Sequence, residues 1–486
     1  MPYDGEFAKH SVLRDFENNP LITEMLEESD IRETEQIDLP ALLLEIPRNQ
    51  WMASQVFAID GSHRPVKVAN GYPGASAGFL SVATVMIDME KLVREINAPS
   101  INPVTFADVE KAYATTGALP SSNVVRKGLP DARSSFRFAF NRLLEKTRPI
   151  AGSESLLETY EAIVRLKPAF DGLACPLGEL CHHGKKHPDL PTGKCACGSY
   201  DVYPTDQLRI HERFYDNSAN GESIGEARSL MEHLTLLNYL RHVESLAESD
   251  SRFWEIFVTT GFILDGPLAI FGHAAWLSER VSLELQRINA KVVKFTGKDM
   301  LVLGIEKSGQ FFDHWLHLDE SRSDDVAPKK TDFGRRDEYD ARLDSQYAPL
   351  DPLERLHGRV KPQQVLLPDN AYIRANIARG DPATIHGIST YYGRPFLYKT
   401  KTNAMIVGMS PILREQDKDR KTALPEQYPR LADTLDLLDS LISMRYPNAV
   451  LPLMAAHAHA AIPVQMGDKM FDALIREHLG KNTHAP

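Results

Sequence analysis

Residues 51–62 read WMASQVFAIDGS, in which the apolar run Val56, Phe57, Ala58, Ile59 meets Asp60-Gly61. A short apolar run stopped by Asp-Gly predicts a buried strand that ends in a turn. The same context recurs in FWEIFVTTGFILDGPLAIFG (253–272), where the run stops at Asp265-Gly266-Pro267. MLVLGIEKSG (300–309) is a third apolar strand of this type. GFLSVATVMIDM (78–89) reads as a partner strand, so a hairpin or meander begins here, and PFLYKTKTNAMIVGM (395–409) supplies one or two more. GESIGEARSLMEHLTLLNYLRHVESLAESD (221–250) is a long helix with Leu230, Leu234, Leu237 and Leu240 along one stripe. Residues 106–168 read as mostly helical. The C-terminal stretch reads as a helix, a Tyr446-Pro447-Asn448 turn and a second helix.

Composition narrows the class. At 43% hydrophobic and 25% charged residues, the 486-residue chain has the make-up of a globular protein rather than a fibre or a disordered polymer. Nothing approaches the ~18–20 apolar residues of a membrane span. The N-terminus lacks an apolar segment behind a basic start, so the expectation is a cytosolic protein. Net charge is −11 (55 Lys+Arg against 66 Asp+Glu), which argues against a free-standing nucleic-acid-coating module, since phosphate contacts favour basic surfaces. It leaves room for an enzyme that handles nucleic acid in a local groove or is fed by a partner. Residues 1–50 form an acidic, helix-prone arm, and residues 318–345 are almost wholly polar and read as a solvated loop.

Phosphate-cradling P-loops, dinucleotide fingerprints and nucleophile elbows are all missing from the sequence. What remains is carboxylate chemistry. Asp60 and Asp265 each follow an apolar strand and precede a glycine. A carboxylate there sits on a rigid element, and the glycine permits close approach. Two such groups brought together favour a shared divalent cation, while each alone is also a common turn cap. The long helix offers Glu226, Glu232 and Glu244 as a third carboxylate, with Arg228 or Arg241 as the ordinary ion-pair alternative. His457 and His459 stand two apart and cannot share a helical face, so at most one points at a site.

The four cysteines fall at Cys175, Cys181, Cys195 and Cys197. Four thiolates satisfy tetrahedral zinc and would staple a Gly/Pro-rich segment of low apolar content. The spacing departs from paired C-x2-C, so His182, His183 or His187 can replace one cysteine. A structural zinc within an insertion at 171–215 is the expectation.

In order, FAIDGS, LMEHLTLL, FILDGPLAIFG, LGIEKSG and YPNAVLPLMAAHAHAAI resemble the NurA family of DNA-repair nucleases, over roughly residues 52–465. The resemblance implies an α/β fold, an RNase H-like mixed sheet flanked by helices, with the nuclease domain at 51–470. It implies a homodimer and manganese-dependent DNA cleavage, with magnesium as the alternative ion. The activity would be a 5′-to-3′ exonuclease with single-strand endonuclease activity, fed by a hexameric HerA-type translocase. It assigns Asp60, Glu232 and Asp265 as metal ligands, Tyr446 and His457 as further catalytic residues, and Lys307 as a phosphate contact. The long interval from Glu232 to Asp265 keeps Glu244 open, and the stretched interval after Tyr446 keeps His459 open. The Cys-rich insertion departs from the family core and could guide DNA or dock a partner. The competing readings are another RNase H-like phosphoesterase and a non-catalytic, zinc-stabilised scaffold for a translocase.

Overall fold

The computed structural model describes residues 11–29, 37–68, 73–96, 109–167, 175–178, 181, 186–218, 220–319, 358–378, 390–442 and 450–478. The chain divides into two units, residues 1–38 and 39–486. In the first, the helix Pro20–Glu27 is capped by Asn19, whose side chain accepts from the Leu21 amide at 3.0 Å, and Ser11–Glu17 forms a helix before it.

The second unit is built on a mixed sheet of nine strands. In chain order these are β1 (Leu43–Glu45), β2 (Gln55–Lys67), β3 (Ser76–Asp88), β4 (Glu110–Pro120), β7 (Thr260–Asp265), β8 (Leu301–Glu306), β9 (Gln364–Leu366), β10 (Gly393–Lys399) and β11 (Met405–Pro411). Their spatial order is β1-β9-β10-β11-β8-β7-β2-β3-β4, and a separate ribbon pairs β5 (Gly193–Lys194) with β6 (Asp201–Val202). Only β2–β7 and β7–β8 are parallel. These central strands are covered on both faces, which is why β7 and β8 read as unbroken apolar runs. The helix Leu277–Thr296 makes the crossover between β7 and β8. It ends at Gly297, whose φ of 74° takes the left-handed conformation that closes a helix.

Each face of the sheet has its own layer. On one, Val56, Ala58, Ile263 and Leu303 join Leu435, Leu438, Leu453 and Ala456 from the C-terminal helices in one apolar cluster. On the other lies the long helix Gly221–Ser249. Its leucines 230, 234, 237 and 240 are all buried, and Tyr239 stacks on Phe57 at 4.0 Å between ring centres. Alternation along β2 thus sends even residues to the C-terminal helices and Phe57 to the long helix.

Three sequence expectations change. Residues 110–120, read as part of a helical stretch, form β4, an outer strand paired with β3 throughout; helices follow only at Ala132–Lys146 and Leu156–Val164. And β2 does not stop at Asp60-Gly61 but runs on to Lys67, paired residue for residue with β3. Apolar character ends at Asp60 because β2 loses its other neighbour there: β7 finishes at Asp265. Residues 43–45, inside the expected N-terminal arm, join the sheet as β1. No helix among the described residues is long and apolar enough to cross a membrane. Most of the polar loop read at 318–345 lies outside the described residues.

Candidate active site

The parallel register pairs Ile59 with Leu264, so the next residues, Asp60 and Asp265, lie side by side on the face that carries the C-terminal helices. Asp60 is 3% exposed. One of its oxygens accepts from the Gly61 amide at 2.7 Å and the other from Nδ1 of His457 at 2.9 Å. His459, two residues on, points elsewhere and meets Glu110 on β4 at 3.0 Å. The histidine beside the carboxylates is therefore His457.

Glu232 arrives from the opposite layer. It is 3% exposed, pairs with Arg228 one turn back, and lies against Gly61, where any Cβ would collide with its carboxylate. Arg228 also donates to the Gly61 carbonyl at 3.1 Å. The glycine after Asp60 thus serves a close approach, and the approaching group is Glu232. Glu244 sits twelve residues further along the helix, about 18 Å away at 1.5 Å per residue. It is clamped by Arg287 at 2.5 Å and Lys291 at 2.7 Å. Glu226 pairs with Arg213 at 2.8 Å. Of the three helical glutamates, Glu232 is the one placed to feel the charges of the aspartates.

The three carboxylates are close enough to feel one another's charge. Burial pushes Glu232 up to about 8; Arg228 opposes this, and the charges of Asp60 and Asp265 add to it. Asp265 is also raised by burial, with Lys307 pulling it back and Asp60 pushing it up. Nζ of Lys307, just past the end of β8, stands 3.0 Å from the Asp265 carboxylate. Each carboxylate therefore carries one basic neighbour: His457, Arg228 or Lys307. Their oxygens are set wider than a closed three-donor cage, since among the described residues only a cysteine trio has donors all within 4.8 Å of one another. An all-carboxylate donor set suits a hard divalent cation such as magnesium or manganese. Tyr446 lies outside the described residues.

No family model matches the sequence, and no curated protein matches it. Among solved structures, the chain aligns with the NurA nuclease from Sulfolobus solfataricus at a TM-score of 0.32 and 11% identity, covering 98% of each chain. A second structure described as NurA aligns at a TM-score of 0.26 and 12% identity, over 96% of this chain and 95% of that one. At such scores neither likeness carries weight for fold or activity.

Two neighbours of the site had no sequence signal of their own. Tyr392 meets Nδ1 of the buried His233 at 2.7 Å, and burial together with Glu232 pushes its hydroxyl up. Glu306, immediately before Lys307, is raised to about 7 by burial and by Asp313, and its Oε2 is buried without a hydrogen-bond partner. Its place in EKSG, next to the lysine already singled out, was the available clue.

The second constellation is the cysteine cluster. Cys175, Cys181 and Cys195 are buried together and can hold a metal ion, while Cys197 is exposed. His182 and His183 lie outside the described residues. His187 is buried, with Nε2 3.8 Å from the Cys195 sulfur.

Proposed function

We propose that this protein is a metal-dependent deoxyribonuclease whose centre is Asp60, Glu232 and Asp265. The observation that carries the reading is the convergence of three carboxylates, two buried (Asp60 and Glu232) and one partly buried (Asp265), from two adjacent parallel strands and the helix across the sheet, with a lysine at 3.0 Å from one of them. Asp60, Glu232 and Asp265 would hold divalent manganese or magnesium, which when bound supplies charge neutralisation and Lewis acidity for phosphodiester hydrolysis. Glu232 gives up its proton to enter such a site, and Arg228 keeps it aligned over Gly61. Lys307, half exposed, is free to turn from Asp265 to a substrate phosphate. His457 commits Nδ1–H to Asp60, so Nε2 is the atom left to exchange a proton with a leaving oxygen; its side chain is 64% exposed, open to substrate.

Motif order and the resemblance to NurA nucleases support the finer reading. It comprises an RNase H-like nuclease domain, 5′-to-3′ exonuclease and single-strand endonuclease activity on DNA, a preference for manganese, and a homodimer. Tyr446 is the catalytic tyrosine of that reading. It also includes a cytoplasmic setting and delivery of DNA by a hexameric HerA-type ATPase in end processing, repair or defence.

The test is cleavage of end-labelled single- and double-stranded DNA with manganese, magnesium or EDTA, with and without a HerA-type ATPase. Asp60→Ala and Asp265→Ala should each lower the rate at least about a hundredfold, since such a centre contributes several kcal/mol to the transition state. Folded wild-type protein that cleaves nothing under any of these conditions would replace the nuclease reading with the scaffold one.

A further inference from the structure

The geometry points to a structural zinc site of three thiolates and one imidazole, Cys175, Cys181, Cys195 and His187, with Cys197 outside the metal's shell. The three sulfurs lie within 4.8 Å of one another, the spacing of donors around one ion, and His187 is the buried imidazole beside Cys195 that would turn in to complete the shell. A zinc–sulfur bond of about 2.3 Å separates neighbouring sulfurs by about 3.8 Å, and a zinc–nitrogen bond of about 2.0 Å separates sulfur from nitrogen by about 3.5 Å. Here Cys181 and Cys195 stand 3.2 Å apart, Cys175 and Cys195 3.7 Å, and His187 Nε2 and Cys195 3.8 Å. A disulfide would need about 2.05 Å between sulfurs, and none of the four cysteines is in one.

Burial selects the donors. Cys175, Cys181 and Cys195 are 7%, 6% and 2% exposed, and His187 is 7% exposed. Cys197 is open to solvent, although its thiol reaches toward those of Cys181 and Cys195. The segment also needs a staple. Its apolar cluster consists of Cys175, Leu177, Cys181, Cys195 and Val202 with Tyr200 packed against it, so three of the five buried members are the thiols themselves. A cluster that small does not offset the entropy of ordering a loop of this length. The β5–β6 ribbon presents Cys195 at a tight turn, where its amide donates to the Tyr200 carbonyl at 2.8 Å and its carbonyl accepts from Gly198 at 2.7 Å. The assembled segment rests on the body through Nε2 of His211, 2.9 Å from the Pro176 carbonyl. Four protein donors fill a tetrahedral ion and leave no open position, so the ion holds structure and does no chemistry.

The experiment is zinc-edge X-ray absorption on the purified full-length protein, with metal content by mass spectrometry. The expected result is about one zinc per chain, with about three sulfurs near 2.3 Å and one nitrogen near 2.0 Å. That measurement needs no variant and so survives any folding defect. Cobalt replacement in Cys197→Ser should retain the full thiolate charge-transfer band, His187→Ala should lose metal, and His187→Cys should rebind it with a band about one third larger. Four sulfurs, with a band diminished in Cys197→Ser and unchanged in His187→Ala, would put Cys197 in the shell and overturn the assignment. Protein purified without zinc and unable to take up cobalt would overturn the site itself.

Discussion

Glu232 concentrates the electrostatic tension of the site in one side chain. Its folded value of about 8 lies above the ordinary 4.5. Between those values the folded protein keeps a proton that the unfolded chain has released, so stability falls as pH rises through that window and levels off above it. Asp265, also raised, adds in the same direction. The metal-free protein should therefore melt at a higher temperature at pH 6 than at pH 8.5. Glu232→Gln, which imitates the protonated acid, should remove most of that slope. A wild-type melting temperature that is constant over this range would contradict the buried-carboxylate account. Cation binding at pH 7 should expel about one proton per site, readable by calorimetry in buffers of different ionisation enthalpy. Gly61 is the steric counterpart. Gly61→Ala places a methyl group where the Glu232 carboxylate lies, and overpacking of this kind costs about 1–3 kcal/mol. Its cleavage rate should fall with that of the Glu232 variants, whereas unchanged cleavage would mean that Glu232 has room to move and is not held by Gly61.

At the scale of elements, the long helix holds Glu232 in place by its leucine stripe. Leu234 is wholly buried, so Leu234→Ala should lower stability by about 2–5 kcal/mol, seen as a shift in urea midpoint with an unchanged slope. Leu246→Ala, at a position 36% exposed on the same helix, should shift it far less. The helix was legible because its pattern is long and regular, and β2, β3, β7 and β8 because central strands are apolar on both faces. The β4 strand was not, since along Glu110–Pro120 only Leu119 is fully buried and the half-buried positions include Glu110, Ala112, Thr115 and Gly117, which give no apolar alternation to read. The end of β2 misled for a related reason: beyond Asp60 the backbone keeps its pairing with β3 while losing the neighbour that made the run apolar. Glu232 and Glu244 could not be separated from sequence because both are buried, at 3% and 6% exposure. What distinguishes them is the partner across space, Asp60 and Asp265 for one, Arg287 and Lys291 from another helix for the other.

For the whole molecule the deciding quantity is charge. Affinity for DNA comes largely from lysines and arginines that displace counterions from phosphates, and non-specific binders reach about 10⁻⁴–10⁻⁶ M at physiological salt by that means. With a net charge of −11 and a centre made of carboxylates, this chain works against that contribution. The isolated Asp265→Ala protein, expected to bind without cutting, should therefore hold duplex DNA no more tightly than about 10 µM at physiological salt. Fluorescence anisotropy with a labelled duplex measures this directly. On the proposed reading, adding a HerA-type ATPase should bring this chain onto the DNA at concentrations at least about tenfold lower, because the partner would then supply the encounter. Submicromolar binding by the isolated chain would remove the physical need for delivery while leaving the nuclease centre standing. Weak binding that no partner improves would leave delivery without support, and substrate capture would then have to come from basic side chains beside the carboxylates, with Lys307 the first to substitute.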